Sequence, residues 1–168
     1  MNKFLKEWVY PVIVAVVIAL LINKFILFKI YVPSESMFPT IKIGDQLFVT
    51  KVYDKNKIKR GDILVFYSEE LGDKLIKRVI GLPGQKVVIK TDGSVYIDDI
   101  RIDEPYVVNM SDMGGTFNVP ENHYLFLGDN RVNSKDSRFW KDPYIPEDEI
   151  LGKARIIVFP FSRFGIVE

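Results

Sequence analysis

The chain contains no cysteine and a single histidine, and these two shortages remove whole classes of chemistry. Without cysteine there can be no disulfide, no thiolate zinc site and no cysteine nucleophile. One histidine cannot form a metal-binding cluster, so we expect neither a metal nor a cofactor. His123 is the one candidate for the histidine of a Ser-His-Asp triad, but its place at the start of an apolar run favours a structural or exposed side chain.

Excess charge is also lacking, because 23 Lys and Arg residues balance 22 Asp and Glu residues to a net charge of +1. A surface without a strong positive field is not expected to bind nucleic acid. Hydrophobic residues make up 48% of the 168 residues, which suffices for one packed domain and excludes a disordered chain. The sequence has no internal repeat and no low-complexity tract.

An apolar run near the N-terminus predicts a membrane anchor. Residues 8–22 are apolar, and after two polar residues the run resumes through Phe28. With Lys24 reaching to the interface, the run attains the roughly 20 residues that a transmembrane helix needs. A cleaved signal peptide would need small residues after the apolar core, and residues 23–26 provide none. We therefore predict an uncleaved anchor over residues 1–29, and its flanking lysines favour a cytoplasmic N-terminus only weakly.

After residue 30 the pattern is that of short β-strands. Runs rich in Val, Ile, Phe and Tyr alternate with turn residues, which predicts an antiparallel β-sheet domain over residues 30–168. Thr91-Asp92-Gly93 lies between two such runs and predicts a β-hairpin. Residues 103–121 show little periodicity, and we expect a loop-rich excursion there within a small inserted hairpin and loop lobe at 85–122. The predicted strands are Gln46–Val52, Asp62–Tyr67, Leu75–Ile80, Lys86–Lys90, Ser94–Ile97, Tyr124–Leu127 and Lys153–Phe159.

Two serines lie between two prolines just after the apolar run, in Pro33-Ser34-Glu35-Ser36-Met37-Phe38-Pro39-Thr40. Each proline fixes its own φ and disfavours helix at the preceding residue, which predicts a rigid, extended loop. A hydroxyl held on such a loop can act as a nucleophile if a neighbouring group takes its proton. The alternative is a polar linker that leaves the membrane segment, and the octapeptide alone favours that alternative.

Lys77 is a candidate for the group that takes this proton. In a strand over Leu75–Ile80, Lys77 shares a face with the apolar residues Leu75 and Val79. Burial disfavours the ammonium form and lowers the pKa of a lysine, so a neutral amine could act as a general base. The alternative is an ordinary lysine on a solvated face, and this stretch taken alone favours that alternative.

A second polar stretch, Gly128–Arg138, follows the apolar run Tyr124–Leu127. It could be a surface turn with internal hydrogen bonds from Asn and Asp side chains. It could equally be a polar network beneath an active site, braced by a pair between Asp136 and Arg138. The sequence pattern leaves both open.

Together these stretches resemble the bacterial type I signal peptidases, the membrane-bound Ser/Lys endopeptidases of peptidase family S26. Each matching piece is a weak signal alone, but all five occur in the family's order after an N-terminal anchor and span nearly the whole chain. The pieces are Ser34–Thr40, Gly44-Asp45, Arg60–Phe66, Lys77–Gly84 and Gly128–Arg138.

The resemblance implies a catalytic pair, with Ser36 as the nucleophile and Lys77 as its general base. It also implies that Ser34 helps to form an oxyanion hole with the Ser36 backbone amide. Such donors aimed at a developing oxyanion supply the main electrostatic stabilisation in acyl transfer.

Three further residues are implied to support the catalytic lysine. Ser134 matches a serine that hydrogen-bonds to the lysine and orients it. Asp136 and Arg138 match a salt-bridged pair that supports the same loop.

The resemblance finally implies substrates and location. Such an enzyme removes N-terminal signal peptides from exported preproteins, cutting after small residues at positions −1 and −3 to the cut, with the substrate bound as an extended strand. The implied partners are secretory preproteins and the lipid bilayer. The implied topology is single-pass in the cytoplasmic membrane, with the N-terminus in the cytoplasm and the catalytic domain on the extracytoplasmic side.

Three alternatives belong to other classes. One is a specialised Ser/Lys processing peptidase with a narrow substrate, and another is a catalytically silent, membrane-tethered peptide-binding module. The third, a self-cleaving repressor, is excluded by the apolar anchor and by the lack of a helix-turn-helix pattern.

Overall fold

The structure is a computed structural model that describes residue 3 and residues 5–167. Met1, Asn2 and Phe4, which fall in the predicted anchor, lie outside the described residues, as does Glu168. A π-helical turn at Leu5–Val9 leads into helix α1 at Tyr10–Phe25. Among the described residues, Glu7–Phe25 forms a helix of 19 residues with mean hydropathy 2.1 and no buried side chain, long and apolar enough to cross a membrane.

The helix ends earlier than the apolar run does. Leu27–Lys29, which we had counted into the anchor, lie in a strand instead, and Leu27 pairs with Thr50. The Ile26 N–H donates a helical hydrogen bond to the Ile22 carbonyl at the end of the helix. The Ile26 carbonyl already accepts a hydrogen bond from the Lys51 N–H of the sheet. Composition could not show that the chain changes here from helix to strand, because apolar residues occur in both a membrane helix and a β-sheet. Helix Glu7–Phe25 still spans roughly 28 Å, close to the thickness of a bilayer's hydrocarbon core.

Twelve strands are formed within residues 5–167, and the seven predicted strands are among them. They confirm the predicted class, mostly antiparallel β behind one N-terminal apolar helix. The five strands that we missed are short, lie within a predicted loop, or continue the apolar run. The strands are β1 Leu27–Tyr31, β2 Gln46–Lys51, β3 Ile63–Ser68, β4 Asp73–Gly81, β5 Lys86–Ile89, β6 Val95–Ile97, β7 Ile100–Arg101, β8 Gly115–Asn118, β9 His123–Leu127, β10 Tyr144–Pro146, β11 Ile150–Phe159 and β12 Gly165–Ile166.

The larger sheet has eight strands in the order β1-β2-β11-β3-β4-β9-β10, with β12 beside β11. Strand β4 lies inside it, paired antiparallel with β3 and β9, and its residues 76–81 are all buried. Because both faces of β4 are covered there, neighbouring side chains on opposite faces are both withdrawn from water. Side chains at Lys77 and Arg78 are therefore both interior.

The smaller sheet has the order β7-β6-β5-β8 and lies within the predicted 85–122 insertion. The predicted hairpin joins β5 to β6, and Gly93 at its turn has φ +82°. Strand β8 corrects the loop expected over 103–121, because Phe117 pairs with Val87. Val87 and Val119 pack against Leu125 of the larger sheet in one apolar cluster. The division of the chain into domains stays a prediction.

Candidate active site

The loop over residues 33–40, here called the serine loop, is anchored in the hydrophobic core by apolar residues within it and directly after it. Met37 and Ile41 are completely buried and pack with Leu47 and Val49 of β2. The prolines predict an extended loop, but the structure shows that the loop is not extended throughout. It turns after Glu35, whose carbonyl accepts the Phe38 N–H at 2.9 Å, and the Ile41 N–H donates to the Met37 carbonyl at 2.8 Å. Burial of these two large side chains therefore fixes the chain directly after Ser36.

Ser36 and Lys77 are in direct contact although 41 residues separate them. Lys77 Nζ lies 2.7 Å from Ser36 Oγ and 3.1 Å from the Ile76 carbonyl oxygen. Lys77 is 4% exposed and Ser36 is 5% exposed. The interpretation of Lys77 as a lysine on a solvated face is therefore wrong.

Burial changes the acid–base chemistry of Lys77. Desolvation lowers its pKa from 10.5 to about 8, although the negative charges of Asp136 and Asp129 act in the opposite direction. The ammonium form is destabilised by about 3 kcal/mol, since each pKa unit corresponds to about 1.4 kcal/mol. A useful fraction of Lys77 is therefore neutral near pH 8 and can accept a proton from Ser36.

Ser34 lies next to Ser36 on the side that faces solvent. Its side chain is exposed, and its Oγ is 3.4 Å from Ser36 Oγ. Within residues 3 and 5–167, the Ser36 backbone N–H donates to no acceptor. Ser36 thus has the Ser34 hydroxyl near its side-chain oxygen and a backbone N–H without an acceptor in the described residues.

Ser134 is buried but does not make the hydrogen bond that we expected. Its Oγ has no partner in the described part of the chain, so no bond to Lys77 is formed. Ser134 instead packs against Gly128, and the Ser36 carbonyl oxygen lies on the same side of Gly128, where a Cβ would be. A Cβ at Gly128 would meet the Ser134 side chain and would lie 2.5 Å from the Ser36 carbonyl oxygen. The absence of a side chain at Gly128 lets these two segments approach.

Asp136 and Arg138 form the expected ion pair. Arg138 Nε donates to Asp136 Oδ1 at 2.8 Å and Nη2 donates to Oδ2 at 2.9 Å, a two-pronged contact. Asp136 Oδ2 also accepts the Gly128 N–H at 2.9 Å, and Arg138 Nη2 donates to the Arg131 carbonyl. The pair therefore ties the start of the Gly128–Arg138 stretch to its end.

A second buried pair, Arg78 with Asp129, was not identified from the sequence. Arg78 Nε and Nη2 donate to the two Asp129 carboxylate oxygens at 2.8 and 2.7 Å, and Nη1 donates to the Gly61 carbonyl. Thr40 Oγ1 donates to Asp129 Oδ2 at 2.6 Å. The pair thereby connects β4 to the serine loop from the face opposite Lys77. The available signal in the sequence was an arginine directly after the candidate lysine in an otherwise apolar predicted strand.

Asn130 was also missed, and it contacts the serine loop directly. Its backbone N–H donates to the Ser36 carbonyl at 3.1 Å, and its Nδ2 donates to the Glu35 carbonyl at 3.3 Å. The Asn109 side chain in turn donates to Asn130 Oδ1 at 3.0 Å. Asn130 therefore fixes the backbone on both sides of the candidate nucleophile's Cα.

His123 and the aromatic pair after Arg138 lie outside this arrangement. His123 begins β9, and its Nδ1 lies 2.8 Å from the Glu121 carbonyl oxygen, so no Ser-His-Asp triad forms around it. Trp140 is buried in the core, while Phe139 is 43% exposed.

The site therefore has the geometry of a serine hydrolase whose base is a lysine. The family model described as signal peptidase, peptidase S26, matches residues 5–159, and the chain belongs to this family. A signal peptidase I of Leptolyngbya laminosa is 41% identical over 96% of this chain and 83% of its own length. A signal peptidase IB of Staphylococcus aureus is 38% identical over 98% of this chain and 94% of its own length.

A solved structure agrees with this assignment. The crystal structure of a signal peptidase I from Enterococcus faecalis V583 is 31% identical, with a TM-score of 0.50, and the match covers 58% of this chain and 96% of that chain. Family membership makes this chain a serine endopeptidase, which confirms the predicted enzyme class.

Substituting Gly128 by Ala should impair catalysis while leaving the fold intact. The new Cβ would displace the Ser36 backbone, and a displacement of about 1 Å can cost roughly 100-fold in rate. Peptide-cleavage kinetics would measure the loss, with thermal unfolding to check the fold. Gly165→Ala is the matched control, because its Cβ would meet nothing nearer than 3.9 Å. Unchanged kcat/KM in Gly128→Ala would contradict this packing argument.

Proposed function

We propose that this peptidase removes N-terminal signal peptides from exported preproteins, with Ser36 as nucleophile and Lys77 as general base. The observation that carries the proposal is the 2.7 Å contact between Lys77 Nζ and Ser36 Oγ in a buried environment. The relatives named signal peptidase I support the substrate class. A specialised processing peptidase would share this chemistry and differ in the range of preproteins that it cuts.

The first half of the reaction uses Lys77 as a base. The neutral Lys77 amine takes the Ser36 proton while Oγ attacks the carbonyl carbon of the scissile bond. The developing oxyanion is placed to accept hydrogen bonds from the Ser36 N–H and the Ser34 hydroxyl. The Lys77 ammonium then gives its proton to the leaving amine, which departs and leaves an acyl-enzyme on Ser36.

The second half runs through the same groups. Neutral Lys77 takes a proton from water, the resulting hydroxide attacks the acyl carbon, and the ammonium returns the proton to Ser36 as the acid product leaves. Each proton transferred is accepted and returned by a group of this chain, so the proposal gives no role to a metal or cofactor.

Ser134, Asp136 and Arg138 act through the lysine and its loop. In this proposal Ser134 orients Lys77 once substrate is bound, because its buried hydroxyl has no other partner among the described residues. The Asp136–Arg138 pair holds the Gly128–Arg138 stretch, and the Asp136 charge opposes the desolvation that lowers the pKa of Lys77.

We propose that substrates bind as an extended strand beside this site and carry small residues at positions −1 and −3. The N-terminus lies in the cytoplasm and the catalytic domain on the extracytoplasmic face of the membrane. A patch of exposed aromatic residues supports a position of the β domain close to the bilayer, because such patches mark interaction surfaces. The patch comprises Tyr31, Phe48, Phe159, Phe161 and Phe164.

Cleavage of a preprotein with an Ala-X-Ala site tests the dyad. Ser36→Ala and Lys77→Met should each lose about 10⁴-fold or more in rate, as other removals of a nucleophile or its base do. Wild-type activity should rise with pH through about 8 as Lys77 loses its proton. The matched controls are Ser162→Ala and Lys59→Met, both exposed and outside the site.

Cutting by Ser36→Ala would show that the nucleophile is another residue. Activity that stays flat from neutral to alkaline pH would remove Lys77 as the base. If the wild type cuts one preprotein of a panel and ignores the rest, the specialised peptidase is the better description.

Topology can be tested with single cysteines, because the chain has none of its own. Lys90→Cys, at an exposed position after β5, should react with a membrane-impermeant maleimide in intact protoplasts. Asn2→Cys should react only after lysis. The unsubstituted chain gives the background, and the reverse labelling pattern would overturn the proposed orientation.

A further inference from the structure

A basic cleft of about 700 Å³ lies where helix α1 joins the β domain. Lysines from four separate segments line it: Lys24 of the helix, Lys29 of β1, Lys51 of β2 and Lys74 of β4. Phe28, Leu151 and neighbouring apolar residues share the lining. The cleft is separate from the catalytic pair, since neither Ser36 nor Lys77 lines it.

Within the described residues, the four ammonium groups form no ion pair with a carboxylate. No carboxylate among these residues lines the cleft either. Of the nearest carboxylates along the chain, Asp54 pairs with Lys57, and Asp73 accepts the backbone N–H of Lys74 but forms no ion pair with its ammonium group. Grouped like charges repel one another, so an anion that bridges them is favoured.

Two of the lysines are held in place by neutral partners. Lys51 Nζ donates to the Lys24 carbonyl at 2.6 Å, and Lys29 Nζ donates to Gln46 Oε1 at 3.1 Å. Each ammonium has three N–H donors, so both keep donors for a ligand. The site is therefore partly preorganised for an acceptor with several oxygens.

The position of the cleft indicates where that acceptor comes from. Lys24 lies in the last turn of the helix, and Tyr53 Oη donates to the carbonyl of Phe25, the final helical residue. With the apolar helix in a bilayer, its end lies at the depth of the lipid headgroups. Cationic side chains above an apolar lining match a phosphate group attached to acyl chains.

We propose that this cleft binds the headgroup of an anionic phospholipid, with the phosphodiester oxygens on Lys29, Lys51 and Lys74 and the start of the acyl chains against Phe28 and Leu151. This contact fixes the β domain relative to the membrane. It requires that the helix lies in the bilayer, but it does not depend on what the active site cuts.

The test is thermal unfolding of the full chain in mixed micelles that contain either phosphatidylglycerol or phosphatidylcholine. Phosphatidylglycerol should raise the Tm of the wild type by roughly 4 °C more than phosphatidylcholine, the shift for a ligand at about ten times its dissociation constant. The variant with Lys29→Gln, Lys51→Gln and Lys74→Gln should lose most of this difference. A control with Lys59→Gln, Lys86→Gln and Lys90→Gln carries the same charge change outside the cleft and should keep it.

Three results would overturn the proposal: equal stabilisation of the cleft variant and the wild type, equal loss in the control variant, or the full shift with inorganic phosphate alone. If the triple variant is unstable in phosphatidylcholine, Lys74→Glu replaces it, because Lys74 Nζ makes no hydrogen bond within the described residues. Peptide cleavage measured on the same samples keeps a failure of the lipid site distinguishable from a failure of the proposed peptidase function.

Discussion

The contact between Lys77 and Ser36 is the constraint on which the rest of the structure depends. A neutral lysine can serve as a base only if water is kept away from it, yet its partner must remain open to a peptide. The fold meets both needs by placing Lys77 on β4, where both sheet faces are covered, and Ser36 at the edge of a loop. Exposed Ser34 beside Ser36 marks the side from which substrate can enter.

Paired arginines and carboxylates hold the loops that meet at this contact. Buried ion pairs add little net stability, because desolvation offsets their attraction, but their geometry is specific. Three of the four pairs connect segments that are far apart in sequence, and the fourth, Arg138–Asp136, braces the Gly128–Arg138 stretch internally, so that this stretch and the serine loop keep one arrangement around Lys77. The pairs are Arg78–Asp129, Arg131–Glu104, Arg138–Asp136 and Arg163–Asp45.

Local patterns predicted most of the fold, since alternation and turn residues identified seven strands. They could not find β1, because its apolar residues continue the helical run, or β8, whose pairing with β5 is long-range. The dyad was predicted through family resemblance, while the residues alone favoured a solvated Lys77. Asn130 and Arg78 were missed because their partners, the serine loop and Asp129, are far away in sequence. The hydrogen bond expected of Ser134 is absent, since its hydroxyl packs against Gly128.

Direct titration of Lys77 would show whether its amine is neutral at the pH where Ser36 must lose its proton. The folded chain, labelled with ¹³C at lysine Cε, would be followed by NMR against pH, and Lys77→Met would assign the signal. We expect a pKa of about 8 for this one lysine, because burial destabilises its ammonium form. A Lys77 signal that titrates near the ordinary value of 10.5 would exclude Lys77 as the general base, since the amine would then be protonated at the pH of the reaction.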